Sequence, residues 1–239
     1  MIRFIAIAAS ALAVSGCNFT SHDEQKDPGP TVTRTYQVGA FDKIEVAGPY
    51  EVTVTTGGQP GVSATGGDKL IGETKVEVDG TTLKIQPKQH HGLNLFWGHQ
   101  GKVQFTVTTA MLNAVDIAGS GAITVDKVAG DFKGDVAGSG KIKLAAVNGG
   151  AMDFSISGSG RIDAAGKATS TKVEIAGSGD FDSSGLAATN ADVSIAGSGN
   201  IRANASRTAK VEIIGSGNVI ITGGAKCEVD KTGSGNVTC

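Results

Sequence analysis

Gly-Ser-Gly recurs seven times in the second half of this chain, with its first glycine at positions 119, 138, 158, 177, 197, 215 and 233. The intervals run from 18 to 20 residues. Self-similarity at such a period is the mark of a solenoid, whose repeats stack because none can bury an apolar face alone. Counting from the first glycine, position −2 reads Ile117, Val136, Ile156, Ile175, Ile195, Ile213 and then Lys231. Position +4 reads Ile123, Ile142, Ile162, Phe181, Ile201, Val219 and Val237. Apolar residues alternate at period two on both sides of the glycines, which is strand, corner, strand with one face buried. Glycine suits the corner because a sharp turn there calls for a positive φ. A phosphate-binding turn is a poor reading, since no helix pattern and no Lys-Ser/Thr pair follows any copy.

The outward positions test the architecture. Position −5 reads Lys133, Asp153, Lys172, Asp192, Lys210, Glu228, so the sign alternates over six repeats. If each repeat is one coil, these residues stack about 4.8 Å apart and attract, whereas like charges stacked there would repel. Position +3 ends in Asn200, Asn218 and Asn236, which predicts an amide ladder. A meander of antiparallel hairpins is the alternative, and it leaves the alternation unexplained. The expectation is an all-β fold, a single-stranded β-solenoid (β-helix) of about 18–20 residues per coil over 111–239. Composition agrees: 36 of 239 residues are glycine, roughly twice average usage.

The first 30 residues read as an address. Met1-Ile2-Arg3 is a short basic start, and Phe4 to Val14 is apolar over 11 residues, the length of a signal-peptide core. Val14-Ser15-Gly16-Cys17 is similar to a bacterial lipobox, which implies a signal peptide over 1–16 and lipidation of Cys17. An ordinary signal peptide with an incidental cysteine is the alternative. Asn18 in place of Asp favours, by the same resemblance, the outer membrane of a Gram-negative bacterium. Residues 17–30 are polar with two prolines and read as a flexible tether. Acyl chains would then hold the protein at a membrane without a spanning helix, and no apolar run of 18 residues exists to make one. The remaining cysteines, Cys227 and Cys239, form an even pair. In an oxidising space they predict a disulfide, with two buried free thiols as the alternative.

Residues 31–110 are less regular. Strand-like runs fall at 31–38, 43–46, 51–55, 75–78, 82–86 and 102–108, with a tight turn at Asp79-Gly80. They are either irregular early coils or a capping β unit, since a solenoid end left bare exposes strand edges and core. Within them, 86–101 (QPKQHHGLNLFWGHQG) holds His90, His91, Phe96, Trp97 and His99. The aromatic and histidine side chains are candidate partner contacts. A metal site is disfavoured, because adjacent histidines converge poorly and no carboxylate or cysteine completes the set. A loop folded on the solenoid is the simplest reading.

The segments AFDKIEVAGPYEVTV, VEVDGTTLKIQP and KVQFTVTTAMLNAVDIAGSGAITV, followed by repeated AGSG and GSGN units, resemble the auto-transporter adhesin family named for its head GIN domain, over roughly residues 33–222. The resemblance implies a bacterial cell-envelope β-helix with an adhesin role and brings no catalytic residues with it. A full auto-transporter would carry a C-terminal membrane barrel, and the sequence ends at Cys239 without one, so self-transport is not expected.

Basic and acidic residues number 21 and 23, which disfavours a nucleic-acid binder. The leading expectation is a non-catalytic envelope lipoprotein that binds an envelope protein or a glycan along its solenoid, without cofactor or metal. The alternative is a polysaccharide-processing enzyme. Asp163, Asp180 and Asp182 are its candidate acids, flanked by Arg161 and Arg202, because glycoside cleavage needs paired carboxylates. A third class is structural, with exposed solenoid ends supporting oligomers.

Overall fold

A computed structural model describes the chain over residues 27–88 and 101–239. In chain order the elements are β1 (Thr31–Tyr36), β2 (Lys43–Ala47), β3 (Glu51–Thr56), β4 (Gly61–Gly67), α1 (Asp68–Gly72), β5 (Thr74–Asp79), β6 (Thr82–Pro87) and β7 (Gln104–Thr109). The repeat region follows with β8 (Ala114–Gly119), β9 (Ala122–Val125), β10 (Val128–Ala129), β11 (Phe132–Gly138), β12 (Lys141–Asn148) and β13 (Ala151–Gly158). It ends with β14 (Arg161–Gly177), β15 (Asp180–Gly197), β16 (Asn200–Gly215), β17 (Asn218–Thr222), β18 (Lys226–Gly233) and β19 (Asn236–Thr238).

The repeat region is a parallel β-solenoid in the expected register. Successive −5 residues are direct neighbours: Lys133 pairs with Asp153, Asp153 with Lys172, Lys172 with Asp192, Asp192 with Lys210 and Lys210 with Glu228. The amide ladder is present, Asn218 Nδ2 donating to Asn200 Oδ1 at 3.1 Å and Asn236 Nδ2 to Asn218 Oδ1 at 3.4 Å. The ion pairs that form, however, run along the strands. Lys133 Nζ lies 2.8 Å from Asp135 and Lys172 Nζ 2.7 Å from Glu174. Two residues apart on one strand is the same outward face, and these acids lie closer to the lysines than the stacked ones do.

Each coil has three sides. One side precedes the glycine corner and one follows it. A short third side begins at β10 and continues through Val147–Asn148 of β12, Gly166–Lys167 of β14, Ala187–Ala188 of β15 and Asn204–Ala205 of β16. The lumen holds the −2 and +4 columns, with Ile156, Ile162 and Ile213 fully buried. At the corner, Gly158 has φ 124°, and a Cβ there would sit 2.5 Å from the Gly138 carbonyl oxygen. Two residues on, a Cβ at Gly160 would meet Val136 Cγ1 at 2.5 Å. The serine between them is exposed. Phe154 explains the one glycine in the −4 column: a Cβ on the stacked Gly134 would lie 2.9 Å from its ring.

Residues 31–110 supply both coils and cap, in an order that the sequence does not follow. On one side β2 lies between β6 and β8, with Lys43 opposite both Thr82 and Ala114. On the next, β3 lies between β7 and β9, with Glu51 opposite both Gln104 and Ala122. The coil built from 43–56 therefore sits inside the stack, and the later coil from 82–109 forms its outer end. That end is closed by antiparallel strands, β5 on β6, β4 on β7 and β1 on β4. The turn at Asp79-Gly80 is a hairpin with Asp79 opposite Thr82 and Gly80 at φ 61°. Leu70 and Ile71 of α1 are buried over the end of the lumen.

Candidate binding groove

The corner leading from the short third side onto the side before the glycines is concave. Near the middle of the stack it forms a cavity of about 610 Å³ that includes Asn113, Asp131, Lys133, Ala151 and Asp153. Towards the C-terminus it forms one of about 650 Å³ that includes Ser170, Asn190, Asp192, Thr208, Lys210 and Glu228. Ala151 pairs with Ser170 and Asp153 with Lys172, so one cavity is the continuation of the other. Over the seven stacked strands from Asn113 to Glu228 the groove extends about 29 Å, at about 4.8 Å per strand.

Its two rims differ in chemistry. One rim is the alternating −5 column. Lys133 and Lys172 bend to acids on their own strands, so Asp153, stacked between them, and Asp192, stacked between Lys172 and Lys210, make no ion pair within 4 Å among the described residues. The other rim is position −7, where Ser170, Asn190, Thr208 and Lys226 stack in register. Thr208 Oγ1 donates to Asn190 Oδ1 at 2.7 Å, and Arg207 Nε donates to the same oxygen at 3.2 Å. The asparagine amide nitrogen is left to the groove. Ala191 and Ala209 lie between the rims, so no large side chain fills the space. A lining of hydroxyls, an amide and mixed charge suits a polar extended chain.

The acids and arginines considered for catalysis do come together, on the side after the corner, and are taken up by one another. Arg161 Nη2 lies 2.7 Å from Asp163 and 3.7 Å from Asp182, Arg202 Nη1 lies 3.8 Å from Asp182, and Asn200 Nδ2 donates to Asp180 at 2.9 Å. The Ser184 hydroxyl, its backbone N–H and the two arginines hold Asp182 below the ordinary carboxylate range. A carboxylate so stabilised is a poor proton donor.

A different carboxyl is perturbed, and sequence reasoning missed it. Glu45, Asp116 and Asp135 are consecutive neighbours on the outer face of β2, β8 and β11. Burial, the hydrogen bond shared with Asp135 and that carboxylate's charge push Asp116 up to about 6. The Asp116–Asp135 pair was readable from the repeat spacing. Glu45 was not, because its coil is out of order. The −7 rim was likewise legible as a column, but its concavity depends on the third side of the coil.

Cys227 and Cys239 are joined in a disulfide, with Cα atoms 6.4 Å apart. The bridge lies at the open C-terminal end of the solenoid. Cys239 is exposed and Cys227 half-buried, because no further coil covers them. Cys17, and the loop candidates His90, His91, Phe96, Trp97 and His99, lie outside the described residues. The chain reaches that loop from Lys88, whose N–H bonds Glu73 O at 2.8 Å, and leaves it at Gly101, both beside the capped end. Among the described residues no group of three or more His, Cys, Asp or Glu is arranged to hold a metal ion.

These features define a parallel β-solenoid closed at one end by antiparallel strands. The profile of the family described as "Putative auto-transporter adhesin, head GIN domain" matches residues 40–225, and the chain belongs to that family. A putative adhesin from Bacteroides fragilis superposes with a TM-score of 0.78 at 20% identity, covering 89% of this chain and 99% of that one. A protein from Parabacteroides distasonis described as a putative lipid binding protein gives 0.70 at 23%, with coverages of 89% and 98%. A putative adhesin from Parabacteroides merdae gives 0.67 at 19%, with 88% and 96%. At these identities the likeness is one of fold. No curated protein matches the sequence significantly.

Proposed function

We propose that this protein is a non-catalytic, lipid-anchored cell-envelope protein that holds a linear polar partner, a glycan in the first place, along the corner groove. The observation that carries the reading is the groove's continuity: seven strands in register give one long trough, with charged residues at −5 on six of them and polar residues at −7 on the last four. Chain-like ligands match such a trough because each monomer meets an equivalent set of groups. Membership of an adhesin family supports the binding role and the envelope location. The lipobox-like segment ending at Cys17 supports the anchor, on the outer membrane of a Gram-negative bacterium. His90, His91, Phe96, Trp97 and His99 are the candidates for a second contact with the partner.

The test is binding of purified envelope polysaccharides by the wild type and by an Asn190→Trp/Thr208→Trp variant that fills the groove. Loss of at least about tenfold in affinity is expected, as is usual when a central contact is blocked. Equal binding by the filled variant overturns the groove assignment, and deletion of 89–100 measures the loop separately. Cys17→Ser should abolish lipid incorporation and release the protein from membranes; continued membrane retention refutes the anchor.

A further inference from the structure

Positions −5 and −3 of one strand are neighbours on its outer face. Over five successive strands the pair follows one rule. Where −5 is lysine, −3 is an acid: Lys133 with Asp135, Lys172 with Glu174 and Lys210 with Glu212. Where −5 is aspartate, −3 is serine: Asp153 with Ser155 and Asp192 with Ser194. Each lysine strand is therefore neutral, and Lys133 and Lys172 are drawn along their strands to acids at 2.8 and 2.7 Å. Each aspartate strand keeps one negative charge, and neither aspartate makes an ion pair within 4 Å among the described residues.

Asp153 and Asp192 line the groove from alternate strands, so they stand about 9.6 Å apart, twice the strand spacing of about 4.8 Å. The −7 positions of this stretch are Ala151, Ser170 and Asn190, all uncharged. The cations of that rim, Arg207 and Lys226, stand further towards the C-terminus. On the strand between the two aspartates, Thr171 lines the cavity. It is 2% exposed, and its hydroxyl has no hydrogen-bond partner among the described residues. A buried polar atom left open costs free energy that a bound hydroxyl restores.

We propose that this stretch of the groove selects a polysaccharide with free amino groups, a deacetylated amino-sugar polymer, seating ammonium groups of alternate sugars at Asp153 and Asp192. The proposal rests on the glycan reading above and narrows its ligand to one charge class. The distance between the carboxylates is about the length of an extended disaccharide, so the sugar between them lies over Thr171 and offers it a hydroxyl. An anionic chain meets both aspartates with like charge. A neutral chain takes water from them and returns no counter-charge, which is unfavourable.

The test is titration of the purified protein with three hexamers, fully deacetylated chitosan, fully acetylated chitin and galacturonate, at low and at high salt. The chitosan hexamer is expected to bind about tenfold tighter than the chitin hexamer at low salt, the yield of two partly exposed ion pairs, with the difference shrinking at high salt. Galacturonate should bind more weakly than either. Asp153→Asn/Asp192→Asn should lower chitosan affinity about tenfold and leave chitin affinity unchanged. Glu77→Gln/Asp79→Asn, which removes two charges from the capped end, should bind as wild type does. Absence of chitosan binding, equal affinity for the chitosan and chitin hexamers, or an equal loss in the capped-end variant overturns the amine assignment. The groove reading fails separately, when the Asn190→Trp/Thr208→Trp variant binds envelope polysaccharides as well as the wild type.

Discussion

The −4 column offers a sharp test of how the lumen is filled. It reads Val115, Gly134, Phe154, Val173, Val193, Val211, and the structure ties its two exceptions together. The Phe154 ring is 0% exposed and occupies the space above Gly134. It also packs against Phe132 at 6.3 Å and Phe181 at 5.1 Å between ring centres. Gly134→Val alone forces a Cβ to 2.9 Å from that ring, and overpacking of this kind costs about 1–3 kcal/mol. Phe154→Val alone leaves a cavity and loses two ring contacts; complete truncation to alanine costs about 3–5 kcal/mol, so valine should cost about 2–3. The double variant restores the column's consensus, and the new methyl groups enter the vacated space. Its cost should fall below the sum by about 2 kcal/mol, within the range for residues in direct contact. Urea denaturation of the four proteins reads this, provided the slope m stays constant. Additivity to within about 0.5 kcal/mol would refute the claim that Gly134 is present because of Phe154.

Gly158→Ala should lose about 2–4 kcal/mol, since it combines a φ of 124° with an approach of 2.5 Å to a carbonyl oxygen, whereas Ser159→Ala should stay within about 0.5; equal costs by denaturation would count against the corner argument. Asp192→Lys places three stacked lysines at 172, 192 and 210 and should cost a few tenths of a kcal/mol, about as much as an exposed like-charge pair, with the penalty fading at high salt. Asp116 stands above its unfolded-state pKa, so its ionised form weakens the fold. Stability should therefore fall as pH rises from about 4 to about 6 and level off beyond, and Asp116→Asn should flatten that slope and gain about 1 kcal/mol at pH 7, discounted for a half-buried group. A pH profile identical to wild type in Asp116→Asn would place the perturbation elsewhere.

Legibility in the sequence followed the source of order. The repeat half could be read because each coil's corner glycines and lumen aliphatics are required by contact with the same atoms of the coil below, so the period appears directly in residue identities. The alternating −5 column could be read as register, although the ion pairs themselves turned along the strands. In the N-terminal half six of the seven strands could be read, but β4 and the stacking order of the coils could not, for two physical reasons. Strand β4, GVSATGG, carries no alternation of large apolar residues, since its small side chains lie against β1 and β7; the same holds for the single turn of α1 that follows. The placement of β2 and β3 depends on pairing with strands that come later in the chain, a long-range choice that spacing along the sequence does not encode. The groove fell between these cases: its residues formed visible columns, but its depth came from a third side whose strands are only two or three residues long.

The same reasoning separates what the fold demands from what it leaves free. From the coil of Gly138 onward the first and third corner positions and the inward columns are bound by close approach, and substituting them changes stability before anything else. The outward −5 and −7 columns touch mainly solvent, and exposed positions of that kind tolerate most residues. Yet −5 keeps an alternation of sign over six coils that exposed pairs worth well under ~1 kcal/mol hardly enforce, and −7 is uniformly polar along the C-terminal four. Order that packing does not require, on the two rims of one continuous groove, is what a surface shaped for a repeating ligand would show. The contrast yields its own measurement. Exchanging the signs along the whole −5 column, with Asp135 and Glu174 changed to lysine so that the two along-strand pairs survive, keeps every stacked pair opposite in charge and should leave stability nearly unchanged, while it reverses the charge met by each unit of a bound chain. Stability preserved together with binding lost would assign that rim to recognition, and binding preserved alongside stability would remove it from the site.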